Sequence, residues 1–320
     1  MQTSCHRRTF LKSLTAALLG APLPSLFAAE GPVRERIREK LAEKSGGDTP
    51  GSHPFEHRDV ARTYELHLPN ATQPSSPLPL VVVLHGMGGD GAMTAALTQF
   101  NPIADKNNFA VLYPDGLNRM WRTRGDEDTS FVLALIDALI KDGTADSARI
   151  YVCGISNGAY LTNVLACDHG DRFAAAAAVA GTFAKLKAGG AKPTRPMPLL
   201  YIHGTADKIV GIDGKDMFSK REMSLSAEDY VRWWVQHNGC SEKAVTEKIP
   251  DQAADGTTTK RFTYPSPGGK ADVIFYKVTG GGHTWPGGSV QPELLLGKTS
   301  RDFNASEAMW EFFSQHQLPK

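Results

Sequence analysis

Residues 150–160 read IYVCGISNGAY: a short apolar strand, the turn Gly154-Ile155-Ser156-Asn157-Gly158, and the start of a helix that continues as AYLTNVLAC. A G-x-S-x-G pentapeptide has chemical meaning only in that setting, where a sharp strand-to-helix turn lifts the serine clear of the backbone. Taken singly it is a weak signal, because glycine and serine are common residues. Its weight depends on what the neighbouring strands carry.

LPLVVVLHG and FAVLYPDG come before it, and AAAAAVAG, PLLYIHG and DVIFYKVTG come after. LPLVVVLHG carries an unbroken aliphatic run, as suits a strand covered on both faces, and the other four read as strands too, whereas ARTYELHLP alternates like a half-buried strand. AMTAALTQFNPIADKNN, DTSFVLALIDALIKDG, SAEDYVRWWVQHNG and NASEAMWEFFSQHQ read as helices. Strands alternating with helices predict a mostly parallel central sheet with helices on both faces. Ligands of such sheets bind beyond the carboxyl ends of the strands. Chemically capable residues do follow strands directly: His85-Gly86-Met87-Gly88-Gly89 after LVVVL, Ser156 after YVC, His203 to Asp207 after LLYI, and Gly280 to Trp285 after FYKVT.

LHGMGG, YPDGLNRMW, GISNGAYLT, HGTAD and GGHTWPGG, in that order, resemble the α/β-hydrolase esterases grouped with polyhydroxybutyrate depolymerases and feruloyl or acetylxylan esterases. The likeness runs from about residue 60 to the C-terminus. It implies an α/β-hydrolase fold with no large lid domain, since only a short stretch separates AVAG from PLLYI. It also implies the chain order nucleophile, acid, base, carried here by Ser156, Asp207 and His283.

A serine hydroxyl is a weak nucleophile and needs a base within hydrogen-bond reach. His283 would take its proton and return it to the leaving alcohol, with Asp207 fixing the imidazole tautomer. The backbone N–H groups of Asn157 and Met87 would hold the oxyanion, Gly88 competing for the second place. His85 and His203 are rival bases, and Asp213 and Asp168 rival acids. Trp121 and Trp285 are expected to offer flat surfaces to an acyl group or a sugar, and Met217 and Phe218 to contribute to the acyl pocket. Asp128 is expected to cap the start of a helix.

The sequence has 320 residues and a formal charge of +1. MQTSCHRRTFLKSLTAALLGAPLPSLFAA has the basic start, short apolar run and small terminal residues of an export signal, and Arg7-Arg8-Thr9-Phe10-Leu11-Lys12 resembles the twin-arginine type. The expected organisation is a signal over residues 1–29, a polar extension over 30–59 containing a charged helix and a Gly-rich linker, and a catalytic domain over 60–320. Export predicts a periplasmic or extracellular protein, and the apolar run is too short for stable membrane insertion.

Loss of residues 1–29 removes Arg7, Arg8 and Lys12 and no acid, taking the charge from +1 to −2. That balance leaves no electrostatic footprint for nucleic acid. Cys167 and Cys240 are the candidate disulfide pair, and no spacing of Cys and His suggests a metal. The expected reaction is carboxylic ester hydrolysis through an acyl-enzyme, with neither metal nor organic cofactor. The expected partner is the ester substrate, with a polymer among the candidates. Hydroxyalkanoate or short-chain esters are preferred over feruloyl or acetylxylan esters. A serine peptidase and a non-catalytic binding protein are the other readings.

Overall fold

The computed structural model describes residues 52–70, 77–185, 189–215, 217, 224–289 and 291–319. The expected export signal, the charged helix with nearly all of its linker, and Phe218 lie outside the described residues.

The strands are β1 (His53–His57), β2 (Val60–His67), β3 (Leu78–Leu84), β4 (Ala110–Pro114), β5 (Ala145–Ile155), β6 (Ala175–Val179), β7 (Leu199–Gly204), β8 (Val245–Lys248), β9 (Thr258–Tyr264) and β10 (Val273–Thr279). The helices are α1 (Gly91–Thr98), α2 (Phe100–Asn107), α3 (Glu127–Lys141), α4 (Asn157–Asp168), α5 (Ala227–His237), α6 (Glu293–Leu296) and α7 (Ala305–Phe313). The strands form one sheet in the order β1-β2-β4-β3-β5-β6-β7-β10-β9-β8. The run from β4 through β3, β5, β6 and β7 to β10 is parallel throughout, with antiparallel strands at both edges. This is the α/β-hydrolase architecture expected from the sequence. Among the described residues, no helix is long and apolar enough to cross a membrane.

The unbroken apolar runs are explained by two cores. Leu80, Val82 and Leu84 of β3 pack with Phe131 and Leu135 of α3, Leu161 and Leu165 of α4, and Trp234 of α5. Val81 and Val83, pointing the other way, join Phe100 of α2 and Met309 and Phe313 of α7. Successive strand residues alternate between faces, so both faces must be apolar where helices cover both. Each fully buried Val or Leu contributes roughly 1.5–3 kcal/mol. One consequence decides the site: every parallel strand ends on the same edge, so the loops after β3, β4, β5, β7 and β10 meet there.

The structure departs from the sequence reading at several places. The sheet begins at β1, inside the stretch expected to be an extension. HPFEH is too short to show a period, but Phe55 packs on Tyr64 and Phe131. Arg58 and Asp59 both take positive φ, 52° and 60°, as the two central residues of a tight hairpin require. The last two strands of the sheet, β9 and the edge strand β8, are polar, with every residue of β8 exposed, so no apolar run announces them. The long helix expected over AMTAALTQFNPIADKNN is two helices, divided where Gln99 turns left-handed at φ 54°.

Cys167 and Cys240 do not form the expected disulfide. Cys167 is buried on α4, and the Cys240 thiol points at the Ala271 carbonyl 3.4 Å away. Asp128 is not a cap. Asp126 holds the N-cap position of α3, and the Asp128 carboxylate instead takes the Arg62 guanidinium at 2.8 Å and the Arg122 N–H at 2.6 Å.

Candidate active site

Ser156 stands between β5 and α4 with φ 57° and ψ −118°, a backbone conformation that side-chain-bearing residues rarely adopt. Its N–H donates to the Val179 carbonyl at 2.9 Å, and its own carbonyl begins α4 by accepting the Tyr160 N–H at 3.0 Å. The flanking glycines are needed for close approach. A Cβ on Gly158 would lie 2.2 Å from the Leu84 carbonyl oxygen, and one on Gly154 would lie 2.7 Å from the Gly158 carbonyl. Neither glycine has positive φ. The strain of the turn therefore falls on the serine, while the glycines let α4 start directly against the end of β3.

His283 follows β10 and is buried. Its Nδ1–H donates to Asp207 Oδ2 at 2.7 Å. Asp207, after β7, is also held by the Ile209 and Val210 N–H groups, which donate to Oδ1 at 2.8 and 2.9 Å. A second imidazole, His203, approaches Oδ2 with Nε2 at 3.4 Å and donates that N–H to the Val210 carbonyl at 2.9 Å. Burial by itself pushes the Asp207 carboxyl up, but hydrogen bonds and charge from His203 and His283 outweigh it and hold the group well below the usual carboxylate range. Asp207 is therefore an anion facing His283.

The rival groups are occupied elsewhere. The His203 ring uses both nitrogens, since Nδ1 accepts from the Tyr201 hydroxyl, whose phenol burial pushes far above its ordinary value. His85 donates Nδ1–H to the Gly86 carbonyl at 2.8 Å and accepts the Gly116 N–H on Nε2 at 2.9 Å, and burial pushes its pKa down. His283 differs from both: among the described residues its Nε2 has no hydrogen-bond partner, and neither has Ser156 Oγ. Asp213 is exposed and paired with Lys215 at 2.6 Å, and Asp168 is exposed at the far end of α4.

Of the candidate oxyanion donors, the Gly88 N–H is consumed by the Arg119 carbonyl at 2.8 Å. The N–H groups of Met87 and Asn157 donate to no acceptor among the described residues. The Asn157 N–H also opens α4, where the aligned peptide dipoles favour negative charge.

Both tryptophans expected to face a substrate are buried. Trp121 lies on His85 with ring centroids 4.6 Å apart and donates Nε1–H to the His85 carbonyl at 2.9 Å. Trp285 donates Nε1–H to Ser306 Oγ at 3.0 Å and meets Phe100 edge-on. An indole N–H that finds a buried partner removes the reason for the ring to stay at the surface, so both corrections have one cause. The exposed apolar side chains around these loops are aliphatic instead: Met87, Met120, Leu294 and Leu295. Leu294 and Leu295 belong to α6, whose Leu296 carbonyl accepts the His283 N–H at 2.6 Å. Met217 is half-buried in the loop after β7.

Sequence reasoning missed two side-chain clamps that hold these loops. Asn157 pairs with the backbone of Trp121, and Gln291 pairs with the backbone of Trp285, at 2.7 and 2.9 Å. The identity of Asn157 was the available signal, since it is the one polar, bidentate side chain inside the G-x-S-x-G turn.

The chain is similar to known esterases. A family model described as Esterase PHB depolymerase matches residues 62–192. "Putative esterase NocK" of Nocardia uniformis subsp. tsuyamanensis is 31% identical over 271 residues, covering 78% of each chain. "Probable feruloyl esterase C" of Aspergillus terreus is 26% identical over 258 residues, covering 79% of this chain and 84% of the relative. Among solved structures, an acetyl xylan esterase from Aspergillus awamori superposes with a TM-score of 0.54 at 18% identity, covering 79% of this chain and 94% of that one. That last likeness concerns the fold.

Proposed function

This chain belongs to the esterase PHB depolymerase family and is a carboxylic ester hydrolase, and we propose that it works through Ser156, His283 and Asp207. Ser156 Oγ attacks the ester carbonyl carbon as its proton passes to His283 Nε2. The oxyanion so formed is met by the N–H groups of Met87 and Asn157, each such donor contributing about a hundred- to a thousandfold in rate. Collapse of the tetrahedral species passes the proton from His283 to the departing alcohol and leaves Ser156 acylated. Water, deprotonated by the same imidazole, then releases the acid. The observation that carries this reading is the 2.7 Å bond from His283 Nδ1–H to Asp207, with Nε2 left for a second partner on the strand-end edge that bears Ser156.

The substrate we propose is an aliphatic ester, a hydroxyalkanoate oligomer or other short-chain hydroxyacyl ester. Support comes from the exposed Met87, Met120, Leu294 and Leu295 and from the burial of both candidate tryptophans. A feruloyl ester is the second reading, favoured by the likeness to the probable feruloyl esterase C of Aspergillus terreus. Export by the twin-arginine route is proposed on the Arg7-Arg8-Thr9-Phe10-Leu11-Lys12 stretch.

Rates measured side by side on a 3-hydroxybutyrate oligomer, p-nitrophenyl butyrate, ethyl ferulate and acetylated xylan test the substrate. The aliphatic esters are expected to have the highest kcat/KM, and a tenfold or greater preference for ethyl ferulate would reverse the choice.

A further inference from the structure

The two oxyanion donors sit on separate segments, Met87 after β3 and Asn157 after β5. Their separation is set by whatever joins those segments, and the loop between β4 and α3 joins them. At one end, the Asn157 side chain pairs with both backbone groups of Trp121: Oδ1 accepts the N–H at 2.6 Å and Nδ2 donates to the carbonyl at 3.1 Å. At the other end, Gly88 N–H donates to the Arg119 carbonyl at 2.8 Å, and Gly116 N–H donates to His85 Nε2 at 2.9 Å. Trp121 Nε1–H reaches the His85 carbonyl at 2.9 Å, and Arg119 pairs with Asp90 at 3.2 Å. Trp121, the hub, is buried.

We propose that the Asn157 carboxamide is a positioning group for the oxyanion hole. Residue 157 offers its N–H to the oxyanion and, through its side chain and Trp121, braces that N–H at a fixed separation from the Met87 segment. This rests on the oxyanion assignment above. The role calls for a carboxamide, since only an acceptor and a donor side by side match a peptide N–H and C=O together. Alanine supplies neither group, and aspartate would set a second oxygen against the Trp121 carbonyl. Fixed donors are effective because they need no reorganisation as charge develops. Displacement by about 1 Å can cost on the order of a hundredfold in rate.

Phenylboronic acid reads out the hole without turnover. Its boron forms a bond to Ser156 Oγ, the serine proton passes to His283 Nε2, and nothing leaves, so the adduct is a tetrahedral anion. Wild type, Asn157→Ala and Trp121→Phe are compared for kcat and KM on p-nitrophenyl butyrate, for inhibition by phenylboronic acid, and for thermal melting. Asn157→Ala is expected to lose about 10- to 100-fold in kcat and to bind the boronate more weakly by a similar factor, with KM moving by less than about threefold. Trp121→Phe, which removes the indole N–H with its pyrrole ring and keeps the Asn157 bonds to the backbone of residue 121, should show a smaller loss of the same pattern.

A folded Asn157→Ala with wild-type kcat and boronate affinity overturns the proposal, as does a loss confined to KM. Should Asn157→Ala fail to fold, Asn157→Asp put through the same measurements decides on the same criteria, because it keeps the side chain's size while setting a second oxygen against the Trp121 carbonyl. Wild-type protein insensitive to phenylboronic acid, together with turnover by Ser156→Ala, would overturn the parent assignment and this one. Boronate-sensitive wild type with unaffected brace variants overturns the brace alone.

Discussion

Asp207 accepts the Nδ1–H of His283 at 2.7 Å on one carboxylate oxygen, while its other oxygen is fixed by the backbone N–H groups of Ile209 and Val210. That division predicts the effect of Asp207→Asn. Two peptide donors compel the amide oxygen to lie on their side, so the NH₂ group must face His283. The imidazole then has to accept at Nδ1 and carry its proton on Nε2, the tautomer that cannot deprotonate serine. We expect kcat to fall about ten-thousandfold, as in other triads whose acid is changed this way. A loss below about tenfold would show that Asp207 does not set the tautomer.

Ser156 carries backbone strain that glycine would not. Such conformations cost about 1–3 kcal/mol in residues with a Cβ. Ser156→Gly should therefore be more stable than Ser156→Ala, by about 1 kcal/mol in urea denaturation, reversing the order of these two residues at ordinary positions. Alanine equal to or above glycine would mean that the turn is relaxed.

Acid should loosen the fold partly through His85. Burial holds its folded-state pKa below the ordinary value, so the unfolded chain takes up the proton first as pH falls. Its stabilisation is complete above about pH 6.5 and is lost as the pH drops from there through the depressed folded value. His57 and His316, lowered chiefly by burial, act in the same direction. His85→Gln, whose side-chain oxygen can still accept the Gly116 N–H, removes one of the three shares. It should lose less stability between pH 7 and pH 5 than wild type does, and an unchanged pH slope would show that His85 does not titrate with unfolding.

The parallel sheet and the edge where its loops meet were legible because strands buried on both faces must be largely apolar, as β3, β4, β6, β7 and the second half of β5 are, with β10 interrupted only by Lys277 before its final threonine. The polar outer strands β1, β8 and β9 lack that constraint and left no mark. Ser156, Asp207 and His283 could be picked out as candidates because the chemistry of acyl transfer demands those residue types, here after strands in that order. The tryptophans could not be placed, because an indole serves a buried hydrogen bond as well as a binding face, and its partners, the His85 carbonyl and Ser306, lie 36 and 21 residues away. Asp128 misled for a similar reason. An acid near a helix start reads as a cap until Arg62, 66 residues earlier, is seen to need it.

Arg62 and Asp128 form a buried ion pair at 2.8 Å, with the Arg62 guanidinium carbon 3.8 Å from the centre of the Phe131 ring. Asp128→Ala leaves that guanidinium in the core with its charge uncompensated and frees the Arg122 N–H. Breaking such a pair from one side costs about 3–5 kcal/mol. Chemical denaturation should show a loss in that range. A loss under about 1 kcal/mol would mean that water reaches Arg62 when its partner is gone.

The most direct measurement of the central claim is covalent titration of the serine. The protein is treated with a fluorophosphonate while hydrolysis of p-nitrophenyl butyrate is followed, and the adduct is located by peptide mass spectrometry. The account predicts one adduct per chain, on Ser156 within IYVCGISNGAY, with activity falling in step with labelling. Full activity in a chain labelled at Ser156, or inactivation with the adduct on another residue, would contradict it.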